Sequence, residues 1–230
     1  MKEEKPAILI CVDYPGFNLM MAKYAKRLGI RVIYYVCPKT WASRENRVKK
    51  LKKHVDQCIS ILPFEKDYFS KWDLPVTYVG HPLLDKINTS KPQETMKHIV
   101  LMPGSREGEI KRLAPIMCAA AMLLHQRHQA SFTIRLAHES QMSLLQRLFE
   151  PLLARDCVKI SNADAHYLDV DYAIVASGTA TLELCKRGIP MQVVYRMDAL
   201  TYALAKHLVK VPYISLCNLI ANSPIVPELI

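Results

Sequence analysis

No apolar run in this sequence is long enough to cross a bilayer: "AILICV" and "YAIVA" fall far short of the roughly 20 residues a spanning helix needs. The opening "MKEEKPAILICVDYPG" sets acidic residues before its apolar run and lacks the h-region length of a secretory signal. The expectation is a soluble cytoplasmic protein. The cysteines, at 11, 37, 58, 118, 157, 185 and 217, form no C-x-x-C pair, and none has a histidine at metal-ligand spacing. An odd, dispersed set argues against a disulfide framework or a zinc site. It fits free thiols in a reducing compartment, most of them small core residues. Internal repeats and low-complexity tracts are absent as well.

Acidic residues are scarce beside basic ones, 21 against 31, which gives a formal net charge of +10 at pH 7. Such a balance favours anionic partners. It is densest in "RENRVKKLKK", residues 44–53, where six of ten residues are Arg or Lys. Val48, Leu51 and Val55 recur there at i, i+3 and i+7, the pattern of an amphipathic helix with a basic outer face. That face is either simply solvated or in contact with a phosphorylated or membrane-borne ligand. The cluster has no interleaved aromatics and no binding motif accompanies it, so no nucleic acid is expected as partner.

What is present is alternation. Half of the 230 residues are hydrophobic and 23% charged, an ordinary globular composition. "PAILICVD" reads as a buried parallel strand, followed by a helical "FNLMMAKYAKRLG" that ends at Gly29 as a C-terminal cap. "IRVIYYVCP", the basic helix, "QCISILP", a short helix and "LPVTYVG" continue the series. A polar stretch with two prolines follows, and then "HIVLMPGS", a helix from about Glu107 to His125, "SFTIRLA", a helix, "CVKI", "DYAIVASG", a helix and "PMQVVYR". Strand–helix–strand succession predicts parallel sheets covered by helices. We expect an α/β fold of two Rossmann-like units: a partial N-terminal unit over 1–80, a linker over 81–97 and a C-terminal unit over 98–230. Ligands of such folds lie at the carboxyl ends of the strands.

Candidate chemistry sits at those strand ends. In "IVASGTATLELC" a strand over 171–176 runs into Ser177-Gly178-Thr179, and a helix begins near Ala180. The first amides of a helix lack internal acceptors and carry the positive end of its dipole, which suits a diphosphate. Gly178 and Ala180 permit close approach, Ser177, Thr179 and Thr181 offer hydroxyl donors, and Glu183 is placed to accept a ribose diol. The alternative is a plain helix start with Glu183 favoured by the dipole. "MPGSREGEIKR" repeats the arrangement: Gly104-Ser105 turns, Arg106 is a candidate grip on phosphate oxygens, and Glu109 holds the arginine or begins the helix. Asn218 in "SLCNLIA" is either a phosphate donor or a turn-former. His81 and Asp85 stand in "VGHPLLD" at the linker. In "CVDYPGFN", Asp13 is a general base or a turn residue, and Asn18 lies near a helix start.

Taken in order, "VDYPGFN", "IYYVCPKTWA", "ILPFEKDYF", "YVGHPLLD", "LMPGSREGEIKR", "ASGTATLE", "PMQVVYR" and "YISLCNLIA…VPEL" resemble the lipid-A-disaccharide synthase family of GT-B-type glycosyltransferases across nearly the whole chain. The resemblance implies an inverting hexosyl transfer that needs no metal and no cofactor. It would move 2,3-diacylglucosamine from UDP-2,3-diacylglucosamine to lipid X (2,3-diacylglucosamine 1-phosphate) in lipid A biosynthesis. It implies Asp13, Arg106 and Asn218 as catalytic. Gly104, Ser105, Arg106, Glu109, Ser177, Gly178, Thr179, Ala180, Thr181, Glu183 and Asn218 would be UDP-sugar-binding, with Asp13, Asn18 and His81 on the acceptor side. It further implies a cytoplasmic protein peripheral to the inner membrane of a Gram-negative bacterium, with 201–210 available to that surface, and a homodimer. Against the family pattern, an opening strand with a glycine-rich acceptor loop is expected before residue 1 and closing helices after residue 230. Gly16 stands where an Asp is usual, and "TWAS" lacks a second tryptophan. A UDP-binding remnant without catalysis, or one subunit of a split enzyme that needs a complementing fragment, is the alternative.

Overall fold

The computed structural model describes residues 4, 6–43, 45–86, 97–162, 170–197 and 211–230. Most of the expected linker and the 201–210 stretch lie outside the described residues. The described chain divides into two compact units, one on residues 6–85 and the other on residues 97–197 and 212–230.

The first unit runs β1 (Ile8–Val12), α1 (Pro15–Arg27), β2 (Arg31–Tyr35), α2 (Asn46–His54), β3 (Gln57–Ser60), α3 (Pro63–Ser70) and β4 (Val76–Tyr78), with a 3-10 turn over Pro82–Lys86. The four strands are parallel in the order β1-β2-β3-β4. An order that always steps the same way, joined by crossovers of one hand, places the connecting helices on one face. Cys11, Val32, Tyr34 and Cys58 of the strands accordingly share a core with Leu19, Ala22, Val48, Leu51 and Phe69 of the helices. α1 ends where expected, with Gly29 at φ 73°, a left-handed position that glycine takes without strain. In the basic helix Val48 and Leu51 are buried, as is Val55 just beyond it, while Lys49, Lys50, Lys52 and Lys53 are exposed.

β1 departs from expectation. Its continuous apolar run predicts burial on both faces, yet only Cys11 is buried. Ile8, Ile10 and Val12 alternate onto the opposite side and stay exposed, Ile10 at 61%. On the helix that follows, Phe17, Met20 and Tyr24 are exposed too. The strand occupies the end of the sheet order, so one edge and one face are uncovered by the described residues.

The second unit comprises β5 (His98–Met102), α4 (Glu107–His128), β6 (Ser131–Leu136), α5 (Met142–Leu148), α6 (Glu150–Leu153), β7 (Val158–Asn162), β8 (Tyr172–Ala176), α7 (Thr179–Arg187), β9 (Met191–Val194), α8 (Leu216–Ala221) and β10 (Glu228–Leu229). All its strands are parallel in the order β10-β9-β8-β5-β6-β7. The chain first builds outward from β5 through β6 to β7, then returns to build the other way through β8. The reversal puts helices on both faces. Along β5, Ile99 and Leu101 enter the core beneath α4–α6, whereas Val100 and Met102 enter the core beneath α7 and α8. This two-sided burial is what an unbroken apolar strand requires. The short β10 lies in "VPELI" and adds in parallel to β9 through Glu228 and Leu229. No helix among the described residues is long and apolar enough to cross a membrane. All seven cysteines are free thiols.

Candidate functional site

The reversal of strand order brings the two candidate turns together. β5 and β8 are neighbours, with Met102 opposite Val175, so the loops that leave them emerge side by side at one edge of the sheet. Those are the two turns singled out in the sequence, 103–106 and 177–179.

In the first turn Gly104 takes φ +112°, and a Cβ there would meet the Glu109 side chain at 2.7 Å and 3.0 Å. Arg106 then opens α4 with its guanidinium largely in solvent, 82% exposed, and bound to the Glu109 carboxylate at 3.1 Å. Gln141, just before α5, donates its amide to the Ser105 carbonyl at 2.7 Å and steadies the turn. A cleft of about 500 Å³ lies between Ser105 and the 138–147 segment, with Arg147 on its wall.

In the second turn Gly178 is extended, at φ 162°, and space is open around it: no heavy atom lies within 4 Å of a built Cβ. The two glycines therefore predict opposite outcomes. Gly104→Ala is expected to cost about 1–3 kcal/mol through the left-handed backbone and the Glu109 contact. Gly178→Ala should leave stability within about 0.5 kcal/mol while weakening any ligand that approaches the backbone. Urea melts and ligand titrations of the two variants separate the cases.

Three expected ligand groups face inward instead. The Ser177 hydroxyl donates to the Ile214 carbonyl at 2.6 Å, and the Thr181 hydroxyl donates to the Gly178 carbonyl at 2.8 Å. Thr179 remains exposed and Ala180 half-buried. Asn218, expected to serve phosphate, is fully buried. Its amide nitrogen donates to the Val226 carbonyl and to Glu228, both at 2.8 Å, and its oxygen accepts from the Val226 amide at 2.9 Å. Glu228 also accepts from the amides of Ile214 and Ser215 and from the Ser215 hydroxyl. Asn218 and Glu228 together pin α8 to β10 and hold the segment that receives Ser177, which occupies the Asn218 amide with these internal bonds.

Glu183 is buried, as the carboxylate of a two-arginine clamp. Arg135 of β6 reaches Oε2 at 2.8 Å and Arg187, one turn along α7, reaches Oε1 at 3.3 Å. Arg135, Gln141 and Glu228 were missed in the sequence. Arg135 lies 48 residues from Glu183 in the chain and Gln141 lies 36 from Ser105, and no local pattern marks such pairings.

At the end of β1, Asp13 and Tyr14 are both left-handed, at φ 46° and 40°. Consecutive positive φ in non-glycine residues is strained and needs support. Asn18 supplies it, its amide donating to the carbonyls of Val12 at 2.9 Å and Asp13 at 2.7 Å, and the Tyr34 hydroxyl donates to Asp13 at 2.6 Å. Asn18 is thus a builder of the turn, while Asp13 itself is exposed. His81, just before the 3-10 turn, accepts the Leu83 amide on Nδ1 at 3.2 Å; burial, then Lys39, lowers its pKa. A further buried acid, Glu65, accepts from the Trp41 indole at 3.0 Å, and burial raises its pKa. This bond and the edge-to-face contact of the Trp41 and Phe64 rings, 5.0 Å between centroids, draw the "KTWA" and "PFEKDYF" stretches together.

A parallel sheet whose order reverses between an arginine-bearing turn and a small-residue turn, in a chain that carries another Rossmann-like unit, defines an α/β protein of the GT-B type. Solved structures share the fold. UDP-GlcNAc 2-epimerase from Neisseria meningitidis, bound to UDP-GlcNAc, aligns with TM-score 0.58 at 16% identity over 96% of this chain and 68% of its own. The S. aureus MnaA–UDP structure aligns with TM-score 0.60 at 12% identity over 96% and 65%.

The chain belongs to the lipid-A-disaccharide synthetase family, whose model matches residues 1–230. Lipid-A-disaccharide synthase of Coxiella burnetii (strain Dugway 5J108-111) is 39% identical over 241 residues, and that of Geobacter metallireducens 38% over 240. The match takes in 98–100% of this chain and 62–63% of the length of these relatives.

Proposed function

We propose that the second unit binds the UDP moiety of UDP-2,3-diacylglucosamine, and that the protein serves the transfer of its sugar to lipid X. The acceptor hydroxyl oxygen bonds to the anomeric carbon with inversion, the bond from that carbon to the diphosphate breaks, and UDP leaves. Arg106 and the first amides of α7 neutralise the charge growing on the diphosphate. Glu183, with lone pairs left beyond its two arginines, accepts the ribose diol. Asp13, on the acceptor side, takes the hydroxyl proton as a poorly placed substitute for the carboxylate that Gly16 replaces. The outward lysines of α2 suit a protein that works at an anionic membrane surface on lipid substrates.

The observation that carries this reading is the adjacency of the loops after β5 and β8, one bearing an exposed guanidinium and the other an open glycine. Calorimetry with UDP tests it. The chain is expected to bind, and Arg106→Ala to weaken binding by roughly 10- to 150-fold, the worth of a charged hydrogen bond. No heat at millimolar UDP would count against it. The exposed face of β1 favours a second reading, a subunit that acts only with a complementing fragment. UDP binding without disaccharide on thin-layer analysis supports that one.

A further inference from the structure

Beneath the nucleotide turns two thiols meet. Cys217, buried in the first turn of α8, donates to the Thr181 carbonyl at 2.9 Å. Thr181 and Cys185 lie four residues apart on α7 and so on one helix face. α7 and α8 pack together, and the Cys185 and Cys217 side chains lie beside each other. Cys185 is exposed while Cys217 is not.

We propose that Cys185 and Cys217 form an oxidisable dithiol, in which Cys185 is the attacking thiol, Cys217 the resolving one, and the product an intrachain disulfide between α7 and α8. The oxidant is a low-molecular-weight disulfide such as oxidised glutathione. The Cys185 thiolate attacks one of its sulfurs and expels a glutathione thiolate, leaving a mixed disulfide. Cys217 then attacks the Cys185 sulfur, the second glutathione leaves, and the Cys217 proton passes to the departing thiolates. Two chain thiols are oxidised by two electrons and one small disulfide is reduced to two thiols.

The division of roles follows from the surroundings. Cys217 beside it lowers the Cys185 pKa, to about 6, against the effect of burial, which together with its exposure suits Cys185 to attack first. Cys217 is shifted upward, first by Cys185 beside it and then by burial, so it stays a thiol until Cys185 has reacted. Cys37 and Cys58 make a comparable thiol contact in the first unit, but both are buried and no small disulfide reaches them. The pair provides an internal control.

The test uses the whole reduced chain, incubated with oxidised glutathione near pH 7.5, alkylated under denaturing conditions and digested. The expected result is loss of two alkylatable thiols, a mass lower by about 2 Da, and one cross-linked peptide pair holding 185 and 217. The disulfide should raise the melting temperature by roughly 5–10 °C. Cys217→Ser should instead trap one glutathione on Cys185. Cys185→Ser, a change at an exposed position that keeps the fold, should leave Cys217 fully alkylatable. Stable glutathione retained on Cys185 in the unaltered chain would overturn the proposal. So would a cross-link through Cys157, Cys37 or Cys58 in preference, or equal reactivity in Cys185→Ser.

Discussion

Gly16→Asp is expected to raise disaccharide formation by about 10²- to 10⁴-fold, the usual worth of a positioned general base. The position invites the change. Gly16 lies in the first turn of α1, which holds no acidic residue, and a Cβ there meets no atom within 4 Å. A carboxylate in a first turn is favoured by the helix dipole by about 0.3–1 kcal/mol, so the fold should not suffer. The gain is therefore chemical. Asp13 stands three residues earlier in the left-handed turn that Asn18 and Tyr34 hold. Asp13→Asn is the companion variant. Should Gly16→Asp leave the thin-layer product unchanged while Asp13→Asn abolishes it, the base is Asp13 and the glycine has no catalytic consequence.

Glu183→Ala is expected to destabilise the second unit by about 3–5 kcal/mol, because it removes the shared anion of two mostly buried guanidiniums. Arg135 and Arg187 have side-chain exposures of only 19% and 21%, so solvent cannot replace the carboxylate fully. Glu183→Gln, which keeps the shape and one acceptor oxygen, should lose less. Urea melts followed by circular dichroism give the difference, and a shift below about 1 kcal/mol for the alanine variant would rule out the clamp. The same residue is proposed to hold the ribose. UDP titration of Glu183→Gln, at a temperature where it remains folded, distinguishes a lost ligand contact from a lost scaffold.

Strand succession was legible because each strand of the second unit is a short apolar run bounded by a turn, and a βαβ chain has few ways to fold. β5 and β8 could be read directly, since their alternate residues feed two cores. β1 could not, because a continuous apolar run carries the same signature whether or not its second face is covered. The turns that hold Gly104, Arg106 and Gly178 were legible from turn chemistry, and the placement of those turns side by side depends only on strand order. Asn218, Ser177 and Thr181 misled for a common reason. A polar side chain beside a helix start can serve a ligand or the local backbone, and only the position of the Val226, Ile214 and Gly178 carbonyls decides which. The arginine clamp on Glu183 was invisible because one of its members comes from β6.

The bare strand in the first unit bears on how the polypeptide would fare in a cell. A row of Ile8, Ile10 and Val12 beside a main-chain edge that no strand among the described residues pairs is the kind of surface on which chaperones dwell and from which aggregates grow. Steady-state abundance would then follow occupancy of that surface: covered, the protein persists, and uncovered, it is held, cleared or lost to inclusion bodies. Expression level becomes a readout of whether the strand has found its neighbour.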